Sequence, residues 1–171
     1  AILQAAGIYD VRIERIRGDL TDHYSPGEKV LRLSDSVYGS TSVAAIGVAA
    51  HECGHAVQHA TAYGPLKMRS SLVPVVSFAS KYVSWILLIG ILCVESFPGI
   101  LLFGIGLFAM STLFSFITLP VEINASKRAL VWLDKSGITS SYNQRDAESA
   151  LRSAAYTYVV AALSSLATLV Y

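Results

Sequence analysis

Charge is what this chain has least of. Only 15% of its 171 residues are Asp, Glu, Lys or Arg, against 53% hydrophobic, whereas soluble domains carry about 25% charge. A chain of this length has too little interior to hide that much apolar surface. The balance argues against a water-soluble monomer and rules out a disordered polymer. The deficit is local: residues 96–121 hold no charge at all, and neither do residues 153–171. About 20 such residues cross a bilayer. Cysteine is equally sparse. Cys53 and Cys93 are too few for a disulfide framework and lack the paired spacing of a zinc knuckle. A net charge of +1 gives no basic footprint for nucleic acid. There is no internal repeat and no low-complexity tract. An initiating methionine is missing too: the chain opens Ala1-Ile2-Leu3-Gln4, which reads as a fragment or a processed form. The lack of a signal peptide therefore proves nothing.

What is present reads as a mainly α-helical membrane protein. Ala1–Ala6 looks like a helix end stopped by Gly7, and Val11–Ile16 alternates apolar and charged, the period of a half-buried strand. Asp19–Tyr24 and Lys29–Leu33 flank Ser25-Pro26-Gly27 as candidate hairpin strands. Ser40-Thr41-Ser42 offers good N-caps for a helix running past His59. Residues 70–94 are apolar except for Lys81, and 98–119 form the clearest span. The short connection Glu95–Pro98 makes these two an antiparallel hairpin. Lys81 snorkels, meets a partner, or marks a span that begins nearer Tyr82. A break is expected at Ser136-Gly137, and 153–171 give a third span. The chain thus divides into a polar N-terminal part over 1–70, a transmembrane hairpin over 71–121, a polar helical part over 122–152 and a transmembrane helix over 153–171. Residues 1–70 hold seven Lys and Arg, residues 122–152 hold five and the connection at 95–98 none. That asymmetry places both polar parts in the cytoplasm.

His51-Glu52-Cys53-Gly54-His55 is an HExxH motif inside the expected helix. Four residues advance a helix by about 6 Å and about 40°, so both imidazoles leave one face and can share an ion. Glu52 lies one step round, where it can take a proton from a metal-bound water. Zinc suits two imidazoles with a position left open for water. A catalytic site still needs a third protein ligand. His59 lies about 12 Å along the helix from His51, too far to share an ion, and position 61, where a metzincin carries histidine, is Thr61. His59 reads as a pocket residue or an ordinary helix histidine. Glu122 is the better ligand. It is the charge that ends the uncharged run, and a hairpin that goes out and returns brings it back to the side of His51 and His55. Its bland alternative is pairing with Lys127 or Arg128. Asp134, in Leu133-Asp134, is a competing ligand of the kind site-2 intramembrane proteases use, although Lys135 stands where they carry glycine.

An HExxH helix, a membrane hairpin and a following Glu-x-x-Ala resemble the membrane gluzincins of the HtpX and CAAX prenyl protease type. More closely, Leu20–Pro26, Ala49–His59, Leu72-Val73-Pro74 and Leu119–Glu122 resemble the YugP-type neutral zinc metallopeptidases of bacterial membranes, over nearly the whole chain. The resemblance implies zinc on His51, His55 and Glu122, Glu52 as general base, and a further N-terminal membrane helix. One position departs from the broader gluzincin pattern. Asp is usual four residues after the ligand Glu; here it is Ser126, which accepts from an imidazole without adding charge.

Other residues carry two readings each. Asp22 and His23 either edge a cleft where substrate adds as a strand, with His23 stabilising an oxyanion, or form a polar pair beside a turn. Cys53 fills a small apolar position. Tyr156 and Tyr158 are interfacial aromatics or place a donor in the cleft. The expectation is a multi-pass bacterial membrane protein acting as a zinc endopeptidase on protein or peptide substrates at the cytoplasmic face. Its rivals are a zinc-binding scaffold without proteolysis and a site-2-type protease using Asp134.

Overall fold

The computed structural model describes the backbone of residues 1–171 and the side chains of residues 1–140 and 143–171. The N-terminal part is a short helix α1 (Ile2–Ala5), strands β1 (Arg12–Ile16), β2 (His23–Ser25) and β3 (Val30–Ser34), and a one-turn helix α2 (Asp35–Tyr38). The hairpin expected around Pro26 is there, with β2 antiparallel to β3. The sheet order β1-β3-β2 adds something the alternation pattern could not encode: β1 lies parallel to β3 on its other side. As an edge strand β1 is less covered than its pattern implies, and Ile13 is 53% exposed. Central β3 is the anchor. Leu31 and Leu33 pack with Leu3, Ile8, Cys53 and Ala56 into one core under the HExxH helix.

That helix, α3 (Val43–Ala60), starts where the serines place it: the Ser42 hydroxyl accepts from the Ala45 N–H. Its buried face is built of Ala45, Gly47, Ala50, Gly54 and Ala56. Small side chains let a neighbouring helix come close, and at Gly54 this is obligatory. A Cβ there would lie 2.7 Å from the Ala125 carbonyl oxygen, nearer than atoms can pack.

Three long helices follow: α4 (Gly64–Leu92), α5 (Pro98–Ser136) and α6 (Ser141–Val170). All three are long and apolar enough to cross a membrane. They leave large apolar side chains outward, among them Trp85, Leu92, Leu102, Phe103, Val160 and Leu163, a surface that suits lipid and not water. The α4–α5 hairpin is as tight as its glycines allow. A Cβ on Gly90 would meet the Leu101 Cα at 2.7 Å, and one on Gly104 the Leu87 side chain at 2.8 Å. Thr112 and Ser165 join α5 to α6 by a hydroxyl–hydroxyl bond of 2.7 Å.

The expected divides at 70/71, 121/122 and 152/153 do not interrupt the chain; each falls inside a helix. The glutamate does not begin a following helix. It sits within α5, which runs unbroken through Pro120. Proline removes one backbone donor, that to the carbonyl four residues back. Beyond it Val121, Glu122, Ala125, Ala129 and Leu133 are all buried, and this packing carries the helix on. The stop comes at Gly137, in the left-handed conformation with φ 69°, where Ser136-Gly137 is expected to break it. Thirty-nine residues make α5 about 58 Å long, nearly twice the hydrocarbon thickness.

Candidate metal centre

The site forms where α3 crosses α5. His51, His55 and Glu122 each offer one ligand atom, and these lie within 4.8 Å of one another. The imidazoles stand edge to face, ring centroids 4.8 Å apart, as i, i+4 spacing on a helix requires. Glu122, 3% exposed, turns one oxygen to both: Oε2 is 2.9 Å from His51 Nε2 and 3.4 Å from His55 Nε2. The cluster could hold a metal ion.

The chemistry of the donors supports that use. Gln58 is fully buried, and its Nε2 donates to the Val121 carbonyl at 2.8 Å and to Asn124 Oδ1 at 3.0 Å. A backbone carbonyl can only accept, so the orientation of the Gln58 amide is settled. Its Oε1 therefore faces His55 Nδ1 at 3.0 Å, and His55 must be the donor. In the neutral ring the Nε2 lone pair then points at the Glu122 carboxylate. Two buried lone pairs facing each other call for a cation or a proton between them. Burial opposes charging His55, but the adjacent Glu122 outweighs it and lifts its pKa above the ordinary histidine value. A divalent ion in place of that proton would satisfy both lone pairs. Ser126 Oγ meets His51 Nδ1 at 2.9 Å, so each histidine has its outer nitrogen held. Metal-bound histidines ordinarily have such partners.

Glu52 lies on the open side. With His51, Glu122, Ser126 and Tyr158 it lines a cleft of about 240 Å³, whose other walls include Leu20, Val37, Val48, Leu151, Ala154 and Ala155. Burial pushes the Glu52 carboxyl above the usual carboxylate range. Leu20 holds a left-handed backbone, φ 58°, and is 93% exposed at the mouth. Larger cavities of about 530 and 400 Å³ lie on other faces of α3 and contain none of the clustered ligands.

The remaining candidates divide between the cleft and other surroundings. His59 bonds the Tyr24 hydroxyl through Nδ1 at 2.9 Å. His23 donates through Nδ1 to the Thr21 carbonyl at 2.8 Å and does not line the cleft. Asp22 does line it, while accepting from the Ser34 N–H and hydroxyl at 2.7 and 3.0 Å. Asp134 is exposed, three turns along α5 from Glu122. Cys53 is buried in the core, and desolvation pushes its thiol up to about 11. Tyr156 is 60% exposed, whereas Tyr158 faces the cleft.

Three functional neighbours escape a reading of the sequence: Gln58, Asn124 and Arg69. Gln58 stands three residues after His55, a spacing at which helix side chains touch, so it carried a signal. Asn124 carried none; it accepts from both Gln58 and Arg128, the latter at 2.8 Å. Arg69, on α4, donates to Glu122 Oε1 at 3.0 Å. It takes the place expected for Lys127 or Arg128. The signal available was positional: Arg69 is the last charge before the hairpin, and Glu122 the first after its uncharged return.

Comparison with known proteins agrees with this geometry. The family described as "Putative neutral zinc metallopeptidase" matches residues 1–171. The chain is 45% identical over 167 residues to a Bacillus subtilis (strain 168) protein named "Putative membrane protease YugP", a match covering 96% of this chain and 72% of that relative. No solved structure matches. The chain belongs to the neutral zinc metallopeptidase family.

Proposed function

Taking that membership as the premise, we propose that the chain is a membrane-anchored zinc endopeptidase whose cleft opens at the cytoplasmic membrane face. His51, His55 and Glu122 are its metal ligands and Glu52 its general base. One observation carries the reading: ligand atoms of half-buried His51 and of buried His55 and Glu122 converge within 4.8 Å, and Glu52 lines one cleft with His51 and Glu122. Zinc held there supplies a Lewis acid and a water acidified to a pKa of about 7. Glu52 accepts the proton of the attacking water and delivers it to the leaving amine. Gln58 and Ser126 keep the imidazoles turned so that both Nε2 atoms face the ion. The retained Glu52 favours an enzyme over a zinc-binding scaffold, because metal binding alone has no use for a base at that position.

The substrate class follows from the walls. Val37, Val48, Leu151, Ala154 and Ala155 suit an apolar side chain next to the scissile bond. A peptide emerging from, or lying against, the bilayer would present one. The cytoplasmic placement rests on the Lys and Arg of the two polar parts and their absence from the turn between α4 and α5.

The test uses purified chain in detergent or nanodiscs, with metal analysis and cleavage of an unstructured protein. One zinc per chain, with Glu52→Gln retaining the metal and losing about 10²–10⁴-fold in rate, is the expected result. Zinc bound without cleavage would favour the scaffold. Cleavage unimpaired in Glu52→Gln would remove Glu52 from the chemistry.

A further inference from the structure

Glu122 uses its two oxygens differently. Oε2 faces both histidines, at 2.9 and 3.4 Å, while Oε1 accepts from Arg69 NH1 at 3.0 Å. Resting on the metal-site reading above, we propose that Arg69 is a positioning residue for the metal ligand. It occupies Oε1 and so commits Glu122 to bind the ion through Oε2 alone.

The surroundings make Arg69 suited to this. Its guanidinium sits 5.8 Å from the centroid of the Phe114 ring, two turns before Glu122 on α5, so one helix holds it at two points. A planar guanidinium resting on a ring has little freedom left and presents its N–H groups in a fixed direction. The Arg69 side chain keeps 29% of its exposure, whereas that of Glu122 keeps 4%. The arginine therefore reaches in from the rim to a carboxylate that water cannot serve. Gln58 does not touch Glu122, and Ser126 bonds His51. Arg69 is the one described residue outside the ligand set that holds this carboxylate. A carboxylate free at both oxygens can turn to grip an ion with the pair, raising the ligand number and filling the position water needs. With Oε1 bonded, that rotation is opposed.

The arrangement also explains why the arginine comes from α4. Arg69 stands where the chain enters the membrane hairpin and Glu122 where it has just returned, 53 residues later. Their bond closes the base of the hairpin at the ligand itself. A residue serving only that closure would affect folding and leave the metal's geometry alone, and this separates the two roles.

The experiment titrates zinc against a chelator in wild type, Arg69→Met and Arg69→Lys, using the full chain in nanodiscs. Cobalt(II) in place of zinc reports ligand number through the intensity of its visible d–d bands. Arg69→Met is expected to bind zinc about 10–100-fold more weakly and to show the weaker cobalt bands of a higher ligand number. Arg69→Lys, which keeps a charged donor but loses the planar fork, should recover part of the affinity and show bands between those of wild type and Arg69→Met. Wild-type affinity and spectrum in Arg69→Met overturn the proposal, as does an equal loss in both variants. If the methionine variant does not fold, Arg69→Gln is read in the same two assays, and an unchanged spectrum overturns it. A wild type that binds neither metal fails the metal-site reading itself, a different result from a wild type that binds while the variants match it.

Discussion

The two ends of α5 solve different packing problems. At Gly104, inside the bilayer part, the helix is held by close approach: side chains of Ile86 and Leu87 crowd the glycine, and lipid-facing Leu102 and Phe103 flank it. At Ala125, beyond that part, the approach of α3 is as tight but the surroundings are polar. His51, Glu122 and Ser126 form one hydrogen-bonded set and His55, Gln58 and Asn124 another, and the two meet where His55 Nε2 lies 3.4 Å from Glu122 Oε2. In lipid, helices associate through shape, since tails are as apolar as leucine. At the other end, close approach brings polar groups into register and their bonds then hold them there. A glycine at close contact serves both ends, against the side chains of Ile86 and Leu87 in the membrane part and against the Ala125 backbone at the candidate metal centre.

Paired substitutions break this comparison most sharply. Gly54→Val should have the largest effect: it forces α3 off Ala125, costs at least about 1–3 kcal/mol of overpacking and abolishes zinc binding. Gly90→Val meets the Leu101 backbone at the same 2.7 Å and should cost a similar amount while zinc stoichiometry survives. Thermal melts followed by metal analysis check both; zinc lost equally in the two would mean the ends are not separable. Next, Gln58→Leu removes the acceptor for His55 Nδ1 and leaves the Val121 carbonyl without its side-chain donor. Zinc affinity should fall by about 10–100-fold, measured by chelator competition, with the hairpin unaffected. The smallest effect belongs to Thr112→Val, which deletes the bond to Ser165 within the membrane part. About 0.6 kcal/mol is typical there, so a melt shifted by a degree or two with unchanged zinc affinity is expected.

The same contrast governs what could be read in advance. The HExxH helix and its caps are local: four-residue spacing and a serine before the first turn suffice. Glu122 was legible because topology, not contact, singles it out, as the charge that ends a returning span. Gln58 and Arg69 were not singled out because their roles arise only once α3, α4 and α5 meet. The unbroken α5 was hidden by Pro120 and by the change to polar composition, both ordinary marks of a boundary. Burial of Val121, Ala125, Ala129 and Leu133 against neighbours distant in sequence overrides them. The sheet order was closed to inspection for a related reason. Alternation says that Arg12–Ile16 pairs, not that it pairs parallel to β3.

A single rod of 39 residues also makes the lipid a mechanical neighbour of the chemistry. Glu122 stands 24 residues from Pro98 at the far turn, about 36 Å along the axis, just past the hydrocarbon edge. Helices answer a thicker or thinner bilayer by tilting, and here no loop lies between the part that tilts and the part that carries Glu122. A thicker or thinner bilayer would therefore move the whole rod, Glu122 included, as one lever.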